Sequence, residues 1–200
     1  MEHGVYINKI GICDETPLFE ACYSDNEAIV KFLVEHGAYI NKRKWGGETP
    51  LFVACLNGNE AIVKYLMKHG SDINKVNKDS KTPLCIACEI GSEAIVKCLV
   101  EHGADINKIN KYGETALFNA CSSGNEAIVR YLVEHGADIN KKKWNGETPL
   151  IIATKKRKKV IVNYLMKHGA KINMKQRQNK GVDNKKDKYS ETLLFGAREV

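Results

Sequence analysis

Hydrophobic and polar positions alternate along this chain in short blocks. Apolar residues fill 51–55 without a break, and a polar stretch separates this run from a second apolar block. In the second block the apolar positions recur at helical spacing, at Ala61, Ile62, Tyr65 and Leu66. The chain is polar again from Asn74 to Thr82. The pattern predicts two short helices separated by a loop and followed by a turn.

Capping residues predict where each helix begins and ends. Thr49 is a good N-cap, and Pro50 suits the first helical position because no amide hydrogen is required there. Gly58 is a natural stop for this first helix. Asn59–Glu60 then caps the second helix and complements the positive end of its dipole. His69–Gly70 predicts its end, with a cation in the last turn followed by a left-handed glycine.

The whole unit recurs at a fixed period of 33 residues. The threonine that opens the first helix is found at Thr16, Thr49, Thr82, Thr115 and Thr148. A His-Gly pair closes the second helix at His36, His69, His102, His135 and His168. Between units, Gly46–Gly47 and Asn145–Gly146 favour tight hairpin-like turns. Such a period indicates a solenoid, in which each unit must stack on a neighbour to bury its apolar face.

A turn and two antiparallel helices in 33 residues, opening with Thr-Pro-Leu and closing with Gly-Ala-Asp-Ile-Asn, resemble the ankyrin repeat. The resemblance implies an all-α ankyrin-repeat solenoid of antiparallel helix pairs joined by hairpin-like turns. We expect five repeats over 10–173 and partial repeats at 1–9 and 190–200. A basic polar insertion is expected at 174–189. Partial units at both ends lead us to expect a piece of a longer array or unusual capping units.

Composition and cysteine use set the class of protein. With 43% hydrophobic and 28% charged residues, the chain can bury an ordinary core. The cysteine count is seven, and four cysteines share one position of the repeat, which does not suit a disulfide framework. No stretch approaches the roughly 20 apolar residues that cross a bilayer. We expect a soluble monomer in the cytoplasm or the nucleus, where thiols stay reduced.

The residues that could carry chemistry have structural explanations in the repeat. The six histidines share one position, and stacked repeats place equivalent atoms about 10 Å apart, too far to share a metal ion. The segment Cys85-Ile86-Ala87-Cys88 resembles the Cys-x-x-Cys motif of redox and zinc sites. It lacks a second ligand pair, however, and falls at the usual buried positions of a first helix. The sequence has no phosphate-binding loop, nucleophile elbow or paired carboxylates. We therefore expect no enzyme activity, cofactor or metal site.

In the ankyrin family the turn tips and the exposed face of the first helix form a concave binding surface. The resemblance implies a partner-binding role for the residues at those positions, which are Tyr23, Trp45, Leu56, Asn57, Glu89, Ile90, Tyr112 and Trp144. Tryptophan and tyrosine are common at interface hot spots, and two neighbouring apolar side chains make a patch. We predict a groove that binds a protein or peptide, with its apolar centre around Trp45, Leu56, Ile90 and Tyr112. The alternative for Trp45 and Trp144, which each follow three cations, is that they fold back onto neighbouring turns.

Charge is distributed unevenly and supports a second hypothesis. Residues 1–154 carry 17 Lys and Arg against 20 Asp and Glu, whereas residues 155–189 carry 13 against 2. One hypothesis is that the basic segment 155–188 binds nucleic acid or another polyanion, or acts as a nuclear import signal. The simpler interpretation is a solvated loop. The segment begins with Lys155, Lys156, Arg157, Lys158 and Lys159. Arg157 replaces the stop glycine at a cost of about 1 kcal/mol, so we expect the fifth repeat to be the least stable.

Overall fold

A computed structural model describes residues 6–171 of the chain, and within them every α-helix belongs to a pair. The first helices of the five pairs are α1 (Pro17–Tyr23), α3 (Pro50–Asn57), α5 (Pro83–Ile90), α7 (Ala116–Ser123) and α9 (Pro149–Lys155). The second helices are α2 (Glu27–Glu35), α4 (Glu60–Lys68), α6 (Glu93–Glu101), α8 (Glu126–Glu134) and α10 (Lys159–Lys167). A single 3-10 turn, Ile12–Asp14, precedes α1. First helices contact first helices and second helices contact second helices along the array, which confirms the predicted solenoid. The predicted insertion at 174–189, the partial repeat at 190–200 and residues 1–5 of the predicted partial repeat 1–9 lie outside the described residues.

The capping residues act as their positions predict. The Oγ1 atom of Thr49 accepts a hydrogen bond from the Phe52 amide at 3.3 Å, and Pro50 is the first residue of α3. The Oδ1 atom of Asn59 accepts from the Ile62 amide at 2.9 Å and opens α4. Gly58 ends α3 with a φ of 78°, in the left-handed region that glycine adopts without steric cost. These contacts confirm both predicted helix boundaries.

Burial of the apolar positions follows the repeat. Leu51, Ile62 and Leu66 are fully buried. The buried stripe of α4 runs through 62, 63, 66 and 67, which places the apolar Ala61 on the opposite, exposed side of the helix.

An asparagine joins each repeat to the next at the end of the second helix. The Nδ2 atom of Asn41 donates to the Gly70 carbonyl at 2.9 Å, and its Oδ1 atom accepts from the Asp72 amide at 2.8 Å. The same pair of hydrogen bonds to the following repeat is made by Asn8, Asn74, Asn107 and Asn140. One side chain per repeat therefore satisfies two backbone groups of its neighbour.

The turns between repeats are hydrogen-bonded both internally and to each other. In the turn 44–47 the Gly47 amide donates to the Lys44 carbonyl at 2.8 Å, and the φ of Gly47 is 84°. The Trp45 amide donates to the Cys13 carbonyl of the preceding turn at 2.8 Å. Equivalent bonds join the later turns from the amides of Lys78, Lys111 and Trp144. The tips therefore form a continuous ladder with a fixed spacing.

Three unfavourable features coincide where the two helices of the fifth repeat meet. Arg157 has a φ of 57°, so it keeps the left-handed conformation of the glycine that it replaces. Lys158 is the N-cap of α10 but makes no side-chain cap hydrogen bond. Lys159 stands where the other second helices begin with Glu27, Glu60, Glu93 and Glu126. A cation near the positive end of the helix dipole is unfavourable, so three local defects coincide in this repeat.

We predict that Arg157→Gly raises the free energy of unfolding by about 1 kcal/mol, because a left-handed backbone costs a residue with a Cβ roughly that much. Urea unfolding followed by circular dichroism measures the change. The reciprocal variant Gly91→Arg, at the same position of the third repeat with a φ of 80°, is the control and should lose a similar amount. An unchanged or lower midpoint for Arg157→Gly would contradict the prediction.

Candidate partner-binding surface

Three aromatic side chains project from the turn tips into solvent. Trp45 is 70% exposed, Tyr112 is 51% exposed and Trp144 is 69% exposed. Each belongs to a turn whose backbone is bonded to its neighbours, so the side chains stand on a fixed support. Large exposed apolar groups on a rigid frame are typical of interaction surfaces.

The two tryptophans lie in different surroundings. The Nε1 atom of Trp144 donates to the Lys111 carbonyl at 2.9 Å, and its ring lies across Gly113, where a Cβ would approach ring atoms to 3.0 Å. Trp144 therefore leans back on the preceding turn, as the alternative interpretation proposed, and presents one face of its ring to solvent. Trp45 instead lies beneath the Lys78 ammonium, which is 4.3 Å from its ring centroid. Lys78 was not foreseen as its partner, although the two residues occupy the same position of consecutive turns.

The cations that precede the tryptophans mostly serve the fold. Arg43 donates from Nη2 to the Val76 carbonyl at 3.0 Å, and Lys44 is bonded to Glu15 at 3.2 Å. Lys143 lies between Glu114 at 3.2 Å and Glu147 at 2.8 Å. These side chains link consecutive repeats through their charges.

The apolar residues of the first helices form a second level of the surface. Leu56 is 49% exposed in the last turn of α3, and Ile90 is 42% exposed at the end of α5. The Cδ1 atom of Ile90 lies 3.7 Å from the position of a Cβ on Gly58, so Ile90 leans across the preceding loop. The length of α3 separates Leu56 from the turn that carries Trp45 by roughly 10 Å. The residues predicted to form the apolar centre of the groove therefore lie at two levels. Aromatic rings are at the turn tips, and aliphatic side chains are at the ends of the first helices.

Three of the predicted residues have partners within the chain. The Nδ2 atom of Asn57 donates to the Cys22 and Tyr23 carbonyls at 2.9 and 3.0 Å, which completes the end of α1. Glu89 is paired with Lys81 at 2.8 Å. The Tyr23 hydroxyl donates to Glu15 at 3.2 Å and is also bonded to Lys44. In the repeat, Tyr23 and Glu89 are equivalent to Leu56, and Asn57 is equivalent to Ile90, so these polar groups belong to the level of the helix ends.

The carboxylate of Glu147, at the base of the turn that carries Trp144, accepts hydrogen bonds from several side chains. Burial alone would raise the pKa of Glu147, but hydrogen bonds from Lys143, Lys155 and Asn145 lower it to about 2. Lys155, which was predicted as a polyanion ligand, is therefore engaged by Glu147. Sequence inspection missed Glu147 because the pairing depends on how the turn folds against α9.

The other cations among residues 156–159 differ in their surroundings, and residues 172–188 of the basic segment lie outside the described residues. The side chain of Lys158 lies against Gly124, where a Cβ would collide with it. Lys156, Arg157 and Lys159 are exposed around the junction of α9 and α10. Three cations thus face solvent at one corner of the array.

The cysteines and histidines that the structure describes show no arrangement typical of a reactive or metal-binding site. Burial, and then the charge of Asp25, raises the pKa of the Cys22 thiol to about 12. Burial also raises the pKa of Cys121 to about 12, so neither thiol ionises readily. Within residues 6–171, no three His, Cys, Asp or Glu side chains converge as metal ligands. In the same part of the chain no helix has the length and apolar character required to cross a bilayer.

The depressed pKa of Glu147 yields a pH prediction. Its ordinary value is 4.5, so its ion pairs stabilise the fold above that pH and are lost as the pH falls toward 2. We expect Glu147→Gln to reduce the loss of stability between pH 5 and about 2, measured by urea unfolding. Glu134→Gln, an exposed carboxylate on α8, is the charge-matched control. Identical pH profiles for wild type and Glu147→Gln would contradict the prediction.

Comparison with known proteins agrees with this architecture. A family model described as ankyrin repeats, in three copies, matches residues 2–77, 69–143 and 113–176. No curated protein matches the chain. With ten paired helices in the described residues and matches across most of its length, the chain belongs to the ankyrin repeat family.

Proposed function

We propose that the chain binds a protein or peptide partner through the turn tips and the exposed ends of its first helices. Ankyrin repeats are generally protein–protein interaction modules, and proteins of the family are typically non-enzymatic scaffolds. The observation that carries the proposal is the row of exposed rings, Trp45, Tyr112 and Trp144, on backbone that is hydrogen-bonded from turn to turn. A partner that covers these rings removes apolar surface from water and orders little of the scaffold.

The two levels of the surface favour a partner with apolar side chains at both. Leu56 and Ile90 offer aliphatic contacts near the helix ends, and Trp45 with Tyr112 offers aromatic contacts at the tips. Ion pairs such as that between Lys81 and Glu89 lie between the levels. A partner segment of alternating apolar and polar character matches this order of contacts.

We predict that replacing Trp45, Leu56 and Ile90 together with Ala weakens partner binding by at least about 2 kcal/mol, or roughly 30-fold in Kd. The three side chains are between 42% and 70% exposed, so the melting temperature should change little. The partner is captured from nuclease-treated lysate with wild-type protein and purified, and its Kd is then measured by calorimetry.

A matched control replaces three other exposed apolar residues, Ile29, Phe32 and Val160, which lie on the second helices. This control should bind the same partner with the wild-type Kd. Equal affinity of wild type and the Trp45, Leu56 and Ile90 variant would refute the proposed surface. So would a loss of affinity in the control alone.

The corner of exposed cations supports a second candidate function, binding of nucleic acid or another polyanion. The observation in its favour is that Lys156, Arg157 and Lys159 face solvent beside the N-terminus of α10. Such side chains release counterions when they contact phosphates.

For duplex DNA, we expect the logarithm of the affinity to fall with that of the salt concentration by about 0.9 for each phosphate neutralised. Changing Lys156, Arg157 and Lys159 together to Glu should reduce this slope, as measured by fluorescence anisotropy. A flat salt response of the wild type would exclude phosphate contacts as the source of binding.

A further inference from the structure

The outer face of the array carries one aromatic ring per repeat, except in the third. In each of the other four, the ring stacks on the histidine one turn later, with centroids 3.9–4.1 Å apart. These rings belong to Phe32, Tyr65, Tyr131 and Tyr164. The third repeat has Cys98 at this position. An open, shallow hollow of about 850 Å³ lies beside Cys98 on the surface between α4 and α6, and the Cys98 side chain itself is 5% exposed. We call it the Cys98 hollow.

Two side chains that would contact a ring at position 98, His102 and Lys64, line the hollow. The Nδ1 atom of His102 lies 2.7 Å from the Cys98 carbonyl, as that of His69 lies 2.8 Å from the Tyr65 carbonyl. The His102 imidazole is therefore held as in the other repeats, and it lines the Cys98 hollow. Lys64 lines the opposite wall.

The equivalents of Lys64 contact an aromatic ring in the next repeat. The ammonium groups of Lys31 and Lys97 each lie 5.9 Å from a ring centroid, that of Tyr65 and that of Tyr131 respectively. A cation over an aromatic face is attracted by the quadrupole of the ring. Lys64 of the second repeat has the same position as Lys31 and Lys97, but the third repeat has no ring for it to contact.

The far end of the hollow differs in charge from its equivalents. The Tyr65 hydroxyl donates to Glu35 at 3.3 Å. Burial, and then the nearby carboxylate of Glu101, raises the pKa of Tyr131. Where the ring is absent, the residue of α4 equivalent to Glu35 and Glu101 is Lys68, and it lines the Cys98 hollow together with Glu101 of α6. A lysine donates to a hydroxyl oxygen, so the α4 side of this end suits an oxygen that accepts.

We propose that the Cys98 hollow binds a tyrosine side chain of a protein partner. The partner's tyrosine ring lies between His102 and Lys64, and the hydroxyl oxygen of that tyrosine accepts a hydrogen bond from Lys68. The chain itself shows that a lysine and a tyrosine hydroxyl pair in this way, at Lys44 and Tyr23. The site is on the second helices, so it does not rest on the surface formed by the turn tips.

The test is a titration of the 15N-labelled full chain with N-acetyl-tyrosinamide, followed by NMR. We expect saturable shifts of the amides of Lys64, Lys68, Cys98 and His102. The variant Cys98→Tyr fills the hollow from within and should bind the probe at least ten-fold more weakly. N-acetyl-phenylalaninamide should also bind more weakly to the wild type, because it lacks the oxygen that Lys68 contacts.

A second pair of variants keeps the test independent of how Cys98→Tyr folds. Lys64→Ala removes the cation over the hollow and should weaken binding, whereas Lys31→Ala removes its equivalent beside the filled position of Tyr65 and should not. The proposal is overturned if the wild type shows no saturable shifts at these four residues. It is also overturned if Cys98→Tyr and Lys64→Ala both bind as the wild type does, and equal affinities for the two probes would refute the role of Lys68.

Discussion

The contact between consecutive repeats is the constraint on which the rest of this structure depends. Two helices of seven to nine residues cannot enclose their own apolar side chains, so Leu51, Ile62 and Leu66 are buried only because repeats stack. Two sets of polar contacts fix the register of that stacking, the asparagine bridges at one end of the repeat and the amide ladder of the tips at the other. Because both sets recur every 33 residues, a side chain at a given position of the repeat always points to the same side of the array.

Almost all of the described fold could be predicted from the sequence, because its signals are local and are repeated five times. Thr49 and Gly58 mark the ends of α3 through their own backbone chemistry, and Arg157 keeps the left-handed conformation that its place in the repeat requires. The periodicity alone does not decide between Ala61 and Val63. Both 61 and 63 are apolar, and only the packing of α4 against its neighbours decides which of them is buried.

The candidate surface was less predictable, because exposure follows from position whereas side-chain partners do not. The exposure of Trp45, Leu56 and Ile90 follows from their places in the repeat. The hydrogen bond from Trp144 to Lys111 and that from Asn57 to Cys22 join residues more than 30 positions apart. Such contacts depend on rotamers and on the neighbouring turn, and the period of the sequence specifies neither. The sequence shows that position 98 has a cysteine in place of a ring, but the side chains that surround it can be identified only from the structure.

The most direct measurement of the central claim uses the fact that the chain has two tryptophans, both on the turn tips. Protein labelled with 5-fluorotryptophan gives one 19F resonance each for Trp45 and Trp144. We expect saturation with the captured partner to shift or broaden both resonances, because the partner covers exposed rings on the tips. If calorimetry shows saturated binding while both resonances keep their positions and widths, the partner binds elsewhere and the proposed surface is wrong.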